Sequence, residues 1–148
     1  MNRVRIKIDR DTMNPRTILI VTESPQIASI VTTKLERDGM RVSWQKDGER
    51  CLAFLTAERP DLIILESVLP DRSGFQLFEE IYSRDRLRAV PVFVLLDVMQ
   101  DKTEADFLEA GAAQVFIKPF RPTVLSKKIR KTLSIENQAL EPVTTEKE

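Results

Sequence analysis

The stretch PDLIILESVLPDRSGFQLFEEI, residues 60–81, decides how the rest of the chain is read. Its four consecutive apolar residues, Leu62-Ile63-Ile64-Leu65, suit a strand covered on both faces, since a half-exposed strand would alternate polar and apolar side chains. A loop runs from Glu66 to Gly74. Phe75, Leu77, Phe78, Ile81 and Tyr82 then recur at helical spacing. A doubly covered strand followed by an amphipathic helix is the unit of a parallel α/β sheet.

The same unit repeats on either side. Upstream, Ile18-Leu19-Ile20-Val21 is a second buried run, followed by Ser24 as N-cap and Pro25 as first helical residue. Ile27, Ile30, Val31 and Leu35 mark that helix's inner face, and Gly39 stops it. Residues 40–45 form the next predicted strand, and Asp47 caps a helix with Cys51, Leu52, Phe54 and Leu55 inward, ending before Pro60. Downstream, Pro91 opens a strand over residues 92–96. Asp101 with Glu104 three residues later predicts a capping box for a helix ending at Gly111. Val115-Phe116-Ile117 is the fifth strand, and Pro122 opens a last helix bearing Val124, Leu125, Ile129 and Leu133. Residues 17–133 therefore predict one doubly wound α/β domain with helices on both sheet faces. Residues 1–16 form an N-terminal extension, and residues 134–148, rich in Glu and Thr, an acidic tail expected to be disordered.

Composition narrows the function. The 148 residues suit one domain, and no apolar run is long enough to span a membrane. The absence of histidine excludes Ser-His-Asp hydrolysis, Cys-His proteolysis and histidine-ligated zinc. A single cysteine, Cys51, closes no internal disulfide, and the N-terminus carries no apolar leader, so a reducing cytoplasm is the expected home. Lys plus Arg and Asp plus Glu both number 23, which leaves no global field to recruit nucleic acid or an anionic bilayer.

In a parallel sheet of this kind, function gathers outside the carboxyl ends of the strands. The strand exits are Thr22-Glu23-Ser24, Glu66-Ser67, Leu96-Asp97 and Lys118-Pro119-Phe120. Here the sequence resembles the receiver domains of two-component response regulators, on the runs ILIV before Thr22, PDLIIL before Glu66, LPDRSGFQLFEEI from Leu69, VPVFVLL from Val90 and EAGAAQVFIKPF ending at Phe120. The resemblance implies a flavodoxin-like five-stranded parallel sheet in the order 2-1-3-4-5. It also implies a phosphoryl-accepting aspartate at the third strand exit and an acid pair at the first that helps hold Mg²⁺. A Thr or Ser at the fourth exit would bind a phosphoryl oxygen, together with a Lys at the fifth.

Carried over position by position, the resemblance places Thr22-Glu23 at the acid pair, Glu66 at the acceptor, Leu96 at the hydroxyl, Lys118 at the lysine and Val115 at the switch aromatic. Glu66 has one methylene more than aspartate, and a displacement of about 1 Å costs on the order of a hundredfold in an in-line transfer. Thr22 removes charge from a Mg²⁺ site that would rest on Glu23 and Glu66, and Leu96 offers no donor. The expectation is a degenerate pseudo-receiver that is not an enzyme and needs no cofactor. Glu66 pairs with Lys118 as a permanent anion, the alternative being a solvated vestige; Leu96 and Val115 are either functional substitutions or core filling. A Mg²⁺-dependent receiver with slow phosphoacceptor activity is the competing function.

The resemblance also implies an output and dimerisation face. It sets Asp101, Glu104, Asp106 and Glu109 on one helix against Arg121, Lys127, Lys128, Arg130 and Lys131 on the last. Such complementary charges suit a homodimer or another protein partner, although acids at a helix start and bases at a helix end also answer the helix dipole unaided. Nucleic-acid binding is disfavoured because no aromatics interleave these bases. No DNA-binding domain follows, so the chain is read as a stand-alone receiver. Arg3-Val4-Arg5-Ile6-Lys7-Ile8 alternates basic and apolar residues, which suits either a strand added to an exposed sheet edge or a flexible basic arm.

Overall fold

The computed structural model describes residues 14–135. The N-terminal alternation and the acidic tail from residue 136 onward lie outside them. In chain order the elements are β1 (Thr17–Val21), α1 (Pro25–Arg37), β2 (Arg41–Gln45), α2 (Gly48–Ala57), β3 (Leu62–Glu66), α3 (Gly74–Tyr82), a short 3-10 turn (Asp85–Leu87), β4 (Val92–Leu96), α4 (Glu104–Ala110), β5 (Gln114–Ile117) and α5 (Pro122–Leu133). All four strand pairings are parallel, and the order is β2-β1-β3-β4-β5, as the resemblance implied.

Alternation of side chains along each strand builds two cores, one on each face of the sheet. Ile18, Ile20, Ile64, Phe93 and Leu95 pack with Val31 and Leu35 of α1 and Leu125 and Ile129 of α5. Leu19, Val21, Ile63, Leu65, Val92 and Val94 pack with Cys51, Leu77, Phe78 and Phe107 from α2, α3 and α4. Being covered twice, β3 and β4 are buried at every position. The edge strands β2 and β5 are only half-buried.

Side-chain caps fix most helix starts. Ser24 Oγ accepts the Ile27 N–H at 3.1 Å, and Asp47 Oδ1 accepts that of Arg50 at 2.8 Å. Gly39 and Gly111 follow α1 and α4 with φ of 92° and 116°, a region costly for any residue with a Cβ. Gly74 has a different role: a Cβ there would lie 2.2 Å from the Glu66 carbonyl oxygen and 2.7 Å from Ser67 Cα. Only glycine lets α3 start directly against the end of β3, where the Gly74 N–H donates to the Ser67 carbonyl at 2.8 Å.

The structure corrects four local expectations. Thr103 rather than Asp101 caps α4: its hydroxyl accepts the Asp106 N–H at 3.2 Å while Asp106 Oδ2 accepts the Thr103 N–H at 2.9 Å. Asp101 stays in the preceding loop, so Glu104 is the first helical residue and not the partner of a cap. Ile30 is 51% exposed, because the buried stripe of α1 runs through Ala28, Val31 and Leu35 and Ile30 lies roughly a third of a turn away. Val124 is likewise exposed, α5 turning Leu125, Ser126 and Ile129 inward. Met40 is buried just ahead of β2 and does not belong to it. Cys51 is a free, fully buried thiol, and burial pushes its pKa from 9.0 up to about 12. That holds it protonated and unreactive in the folded chain.

Candidate functional site

The parallel sheet brings the exits of β1, β3, β4 and β5 to one end of the domain, and the chemistry there centres on Glu66. This last residue of β3 is 4% exposed. Its Oε1 stands 2.5 Å from Lys118 Nζ, and its Oε2 accepts the Thr22 hydroxyl at 2.7 Å. Thr22 is itself fully buried and held twice more, its Oγ1 accepting the Ser24 N–H at 3.0 Å and its carbonyl accepting Trp44 Nε1 at 2.7 Å. Lys118 follows β5 directly. Its N–H donates to the Leu96 carbonyl at 3.1 Å, and its ammonium also lies 3.8 Å from Asp97 Oδ2. Asp97 is fixed in turn by donation from its N–H to Ser67 Oγ at 2.8 Å.

The expected pairing of Glu66 with Lys118 is therefore present, and a solvated Glu66 is not what the structure has. Removing a carboxylate and an ammonium from water is costly, and that cost is offset only where the remaining polar sites are also filled. Thr22 fills one of them, giving Glu66 a bond on each oxygen. Read from the sequence as a lost Mg²⁺ ligand, Thr22 is in fact the second donor to Glu66. The contact of Lys118 with Asp97 was not foreseen, since it depends on the course of the loop after β4.

Leu96 and Val115 stand with the α2-α3-α4 core, Leu96 buried and Val115 packed against it from β5. Both have the surroundings of core residues. Glu23 is exposed, and the contacts that close on Glu66 come from Thr22 and Lys118. These residues do not fit a Mg²⁺ ion. Such an ion takes near-ideal octahedral oxygen ligation, whereas one Glu66 oxygen faces an ammonium and the other a hydroxyl. Among the described residues no group of three or more acidic, histidine or cysteine side chains is placed to hold a metal.

The charged face is assembled only in part as expected. Asp101, Glu104 and Glu109 are exposed around α4, and Arg121, Lys127, Lys128 and Lys131 are exposed at α5. Asp106 is committed to its own cap, where the Thr103 amide and hydroxyl hold its carboxyl below the usual carboxylate range. Arg130 is turned away from this face, its Nη1 lying 3.6 Å from Asp38 at the end of α1, where Ser126 Oγ also donates to Asp38 at 2.5 Å. Arg130 thus ties α5 to α1. The sequence reading missed the exposed apolar residues Leu108, Ile117 and Val124 of α4, β5 and α5. Ile117 and Val124 sit within segments that looked uniformly inward, so no pattern marked them.

A five-stranded sheet in this order, with a lysine after β5 directed at the carboxylate that ends β3, defines a receiver fold. The chain belongs to the response regulator receiver domain family, whose model matches residues 18–130. Among curated relatives it is similar to the regulatory protein VanRc of Enterococcus gallinarum, 32% identical over 78% of this chain and 49% of that protein. It is also similar to the transcriptional regulatory protein GltR of Pseudomonas aeruginosa, 33% identical over 81% of this chain and 50% of that protein. The chain thus spans about half the length of these relatives. Among solved structures, a putative response regulator from Chloroflexus aurantiacus superimposes with a TM-score of 0.76 at 26% identity, covering 82% of this chain and 99% of that one. The chemotaxis response regulator CheY4 of Vibrio cholerae gives 0.71 at 25% identity, covering 78% and 97%. No helix among the described residues is long and apolar enough to cross a membrane.

Proposed function

We propose that this receiver domain works in two-component signalling as a protein-binding module whose state does not depend on phosphorylation. The observation that carries the reading is the double engagement of Glu66, by Lys118 at 2.5 Å and by Thr22 at 2.7 Å. A carboxylate that accepts a phosphoryl group must present a free oxygen in line with the donor, and a cation must be ready for the charge that develops. Here Lys118 already holds one acceptor oxygen and the Thr22 hydroxyl the other, and Leu96 has no hydroxyl to offer. Glu66 supplies internally the anion that Lys118 would otherwise take from a phosphoryl group, so the domain performs no phosphotransfer of its own.

Its partner is a protein, met on the face of α4, β5 and α5. The elements α4, β5 and α5 expose Leu108, Ile117 and Val124 as well as charges of both signs, the residue types from which a protein interface is built. The opposed charges of α4 and α5 favour a second copy of the chain as occupant. A free buried thiol at Cys51 suits a reducing compartment, the cytoplasm.

The test is an NMR titration of the ¹⁵N-labelled chain with Mg²⁺ and beryllofluoride, which mimics a phosphoryl group on an acceptor carboxylate. The amides of Ser67, Asp97 and Lys118 should keep their positions throughout. Saturable, Mg²⁺-dependent shifts at those three amides would overturn the proposal. In the same samples, self-association predicts that the Leu108, Ile117 and Val124 amides move with protein concentration and return at high salt; concentration-independent positions would exclude the second copy.

A further inference from the structure

Thr22 follows β1 directly, and each of its polar groups has a partner. Its N–H donates to the Gln45 carbonyl at 3.1 Å, and its carbonyl accepts Trp44 Nε1 at 2.7 Å. Its Oγ1 accepts the Ser24 N–H at 3.0 Å, and its hydroxyl donates to Glu66 Oε2 at 2.7 Å. The first two bonds come from β2, whose register sets Trp44 beside Ile20 and Gln45 beside Val21, so that both reach past the end of β1. The hydroxyl has a single proton, and with the Ser24 N–H on its oxygen that proton is left for Glu66. A hydroxyl bonded to the N–H two residues ahead requires the intervening peptides to hold a turn. The first of those peptides, between Thr22 and Glu23, is the one whose carbonyl the indole binds.

We propose that Trp44 is a positioning residue of the pocket, acting through Thr22. Its indole N–H fixes the Thr22–Glu23 peptide, which keeps the Ser24 N–H on Thr22 Oγ1 and the hydroxyl proton on Glu66. This role rests on the closed Glu66 of the proposed function and names what holds it closed from the side of β2. Thr22 is fully buried, and among the described residues the indole is the donor its carbonyl has. A buried carbonyl left without a donor carries its full desolvation cost. Without the indole N–H the peptide therefore turns its oxygen toward water and draws the Ser24 amide away from Thr22 Oγ1. Trp44 is itself 39% exposed, so water could satisfy its N–H. The inward bond to Thr22 is then the part of this side chain that a purely packing aromatic would not supply.

The test compares the full chain as wild type, as Trp44→Phe, which removes the donor and part of the ring system, and as Trp44→benzothienylalanine, which keeps the two-ring shape and removes the N–H alone. NMR reads Thr22 directly, through exchange of its hydroxyl proton with water and through the three-bond couplings of its methyl carbon, which report χ1. Wild type should show a single χ1 rotamer. In both variants hydroxyl exchange should be at least about tenfold faster and the couplings averaged, while the Ile63 and Ile64 amides of β3 keep their protection. Cys51, unreactive toward thiol reagents in all three proteins, would confirm an intact core. A residue that only packs would lower the urea midpoint of Trp44→Phe and leave Thr22 untouched in the isostere. Unaltered Thr22 exchange and couplings in Trp44→benzothienylalanine would overturn the proposal. Failure of the phosphorylation-independent function reads out separately, as beryllofluoride shifts in the wild-type chain, because Thr22 is compared across the three proteins without that reagent.

Discussion

Lys118→Ala should lower the unfolding free energy by about 2–4 kcal/mol, the range for a buried ion pair that loses one partner, taken low because water enters beside a half-buried lysine. Glu66 would keep its hydrogen bond from Thr22 but hold a buried charge with no cation in contact. Glu66→Gln should cost less, because the Lys118 side chain left behind is 26% exposed and its ammonium retains Asp97 at 3.8 Å. The double change Glu66→Gln with Lys118→Met removes both charges and preserves an acceptor for Thr22, so it should recover much of the loss. Urea unfolding of the four proteins measures the coupling. Strictly additive losses would show that the two side chains do not depend on each other.

Gly74→Ala should be at least as damaging, at about 3 kcal/mol or more. A Cβ at this position meets backbone, the Glu66 carbonyl oxygen at 2.2 Å and Ser67 Cα at 2.7 Å, and backbone cannot swing aside as the end of a side chain does. Relief requires α3 to lift from the end of β3. That displaces the residue carrying the carboxylate and stretches its contact with Lys118. The urea midpoint of Gly74→Ala should fall sharply, or the chain should fail to fold. An unchanged midpoint would mean that α3 can shift freely and that the glycine is not required for the approach.

The parts of this fold that were legible in sequence are those where a single local pattern decides the structure. The runs 18–21, 62–65 and 92–96 are continuously apolar because helices cover both faces, and each became a buried strand. Boundaries moved by a residue at β1, β2, β3 and β5, since β1 takes in Thr17 and β3 takes in Glu66, polar residues that end the apolar runs, and half-exposure weakens the signal at β2 and β5. Around α4, Asp101 with Glu104 and Thr103 with Asp106 share the same spacing, and the choice between them depends on where the loop after β4 ends. Ile30 and Val124 were assigned inward because apolar character alone does not show how wide a helix's buried stripe is.

At the site, the pairing of Glu66 with Lys118 was legible because a lysine at the pocket with no phosphate requires an anion and the resemblance placed an acid opposite it. The part played by Thr22 was not. As a departure from an acid pair it looked like a loss, and only its position beside Glu66 Oε2 makes it a donor. Arg130 is a similar case, since its commitment to Asp38 depends on how α5 lies across α1, a tertiary relation that spacing along the last helix does not encode.

The most direct test of the closed pocket is the intact mass of the wild-type chain after incubation with Mg²⁺ and acetyl phosphate. With Glu66 bound to Lys118 and Thr22, the mass should remain that of the unmodified protein. A phosphoryl adduct forming on the wild-type chain would contradict the closed pocket.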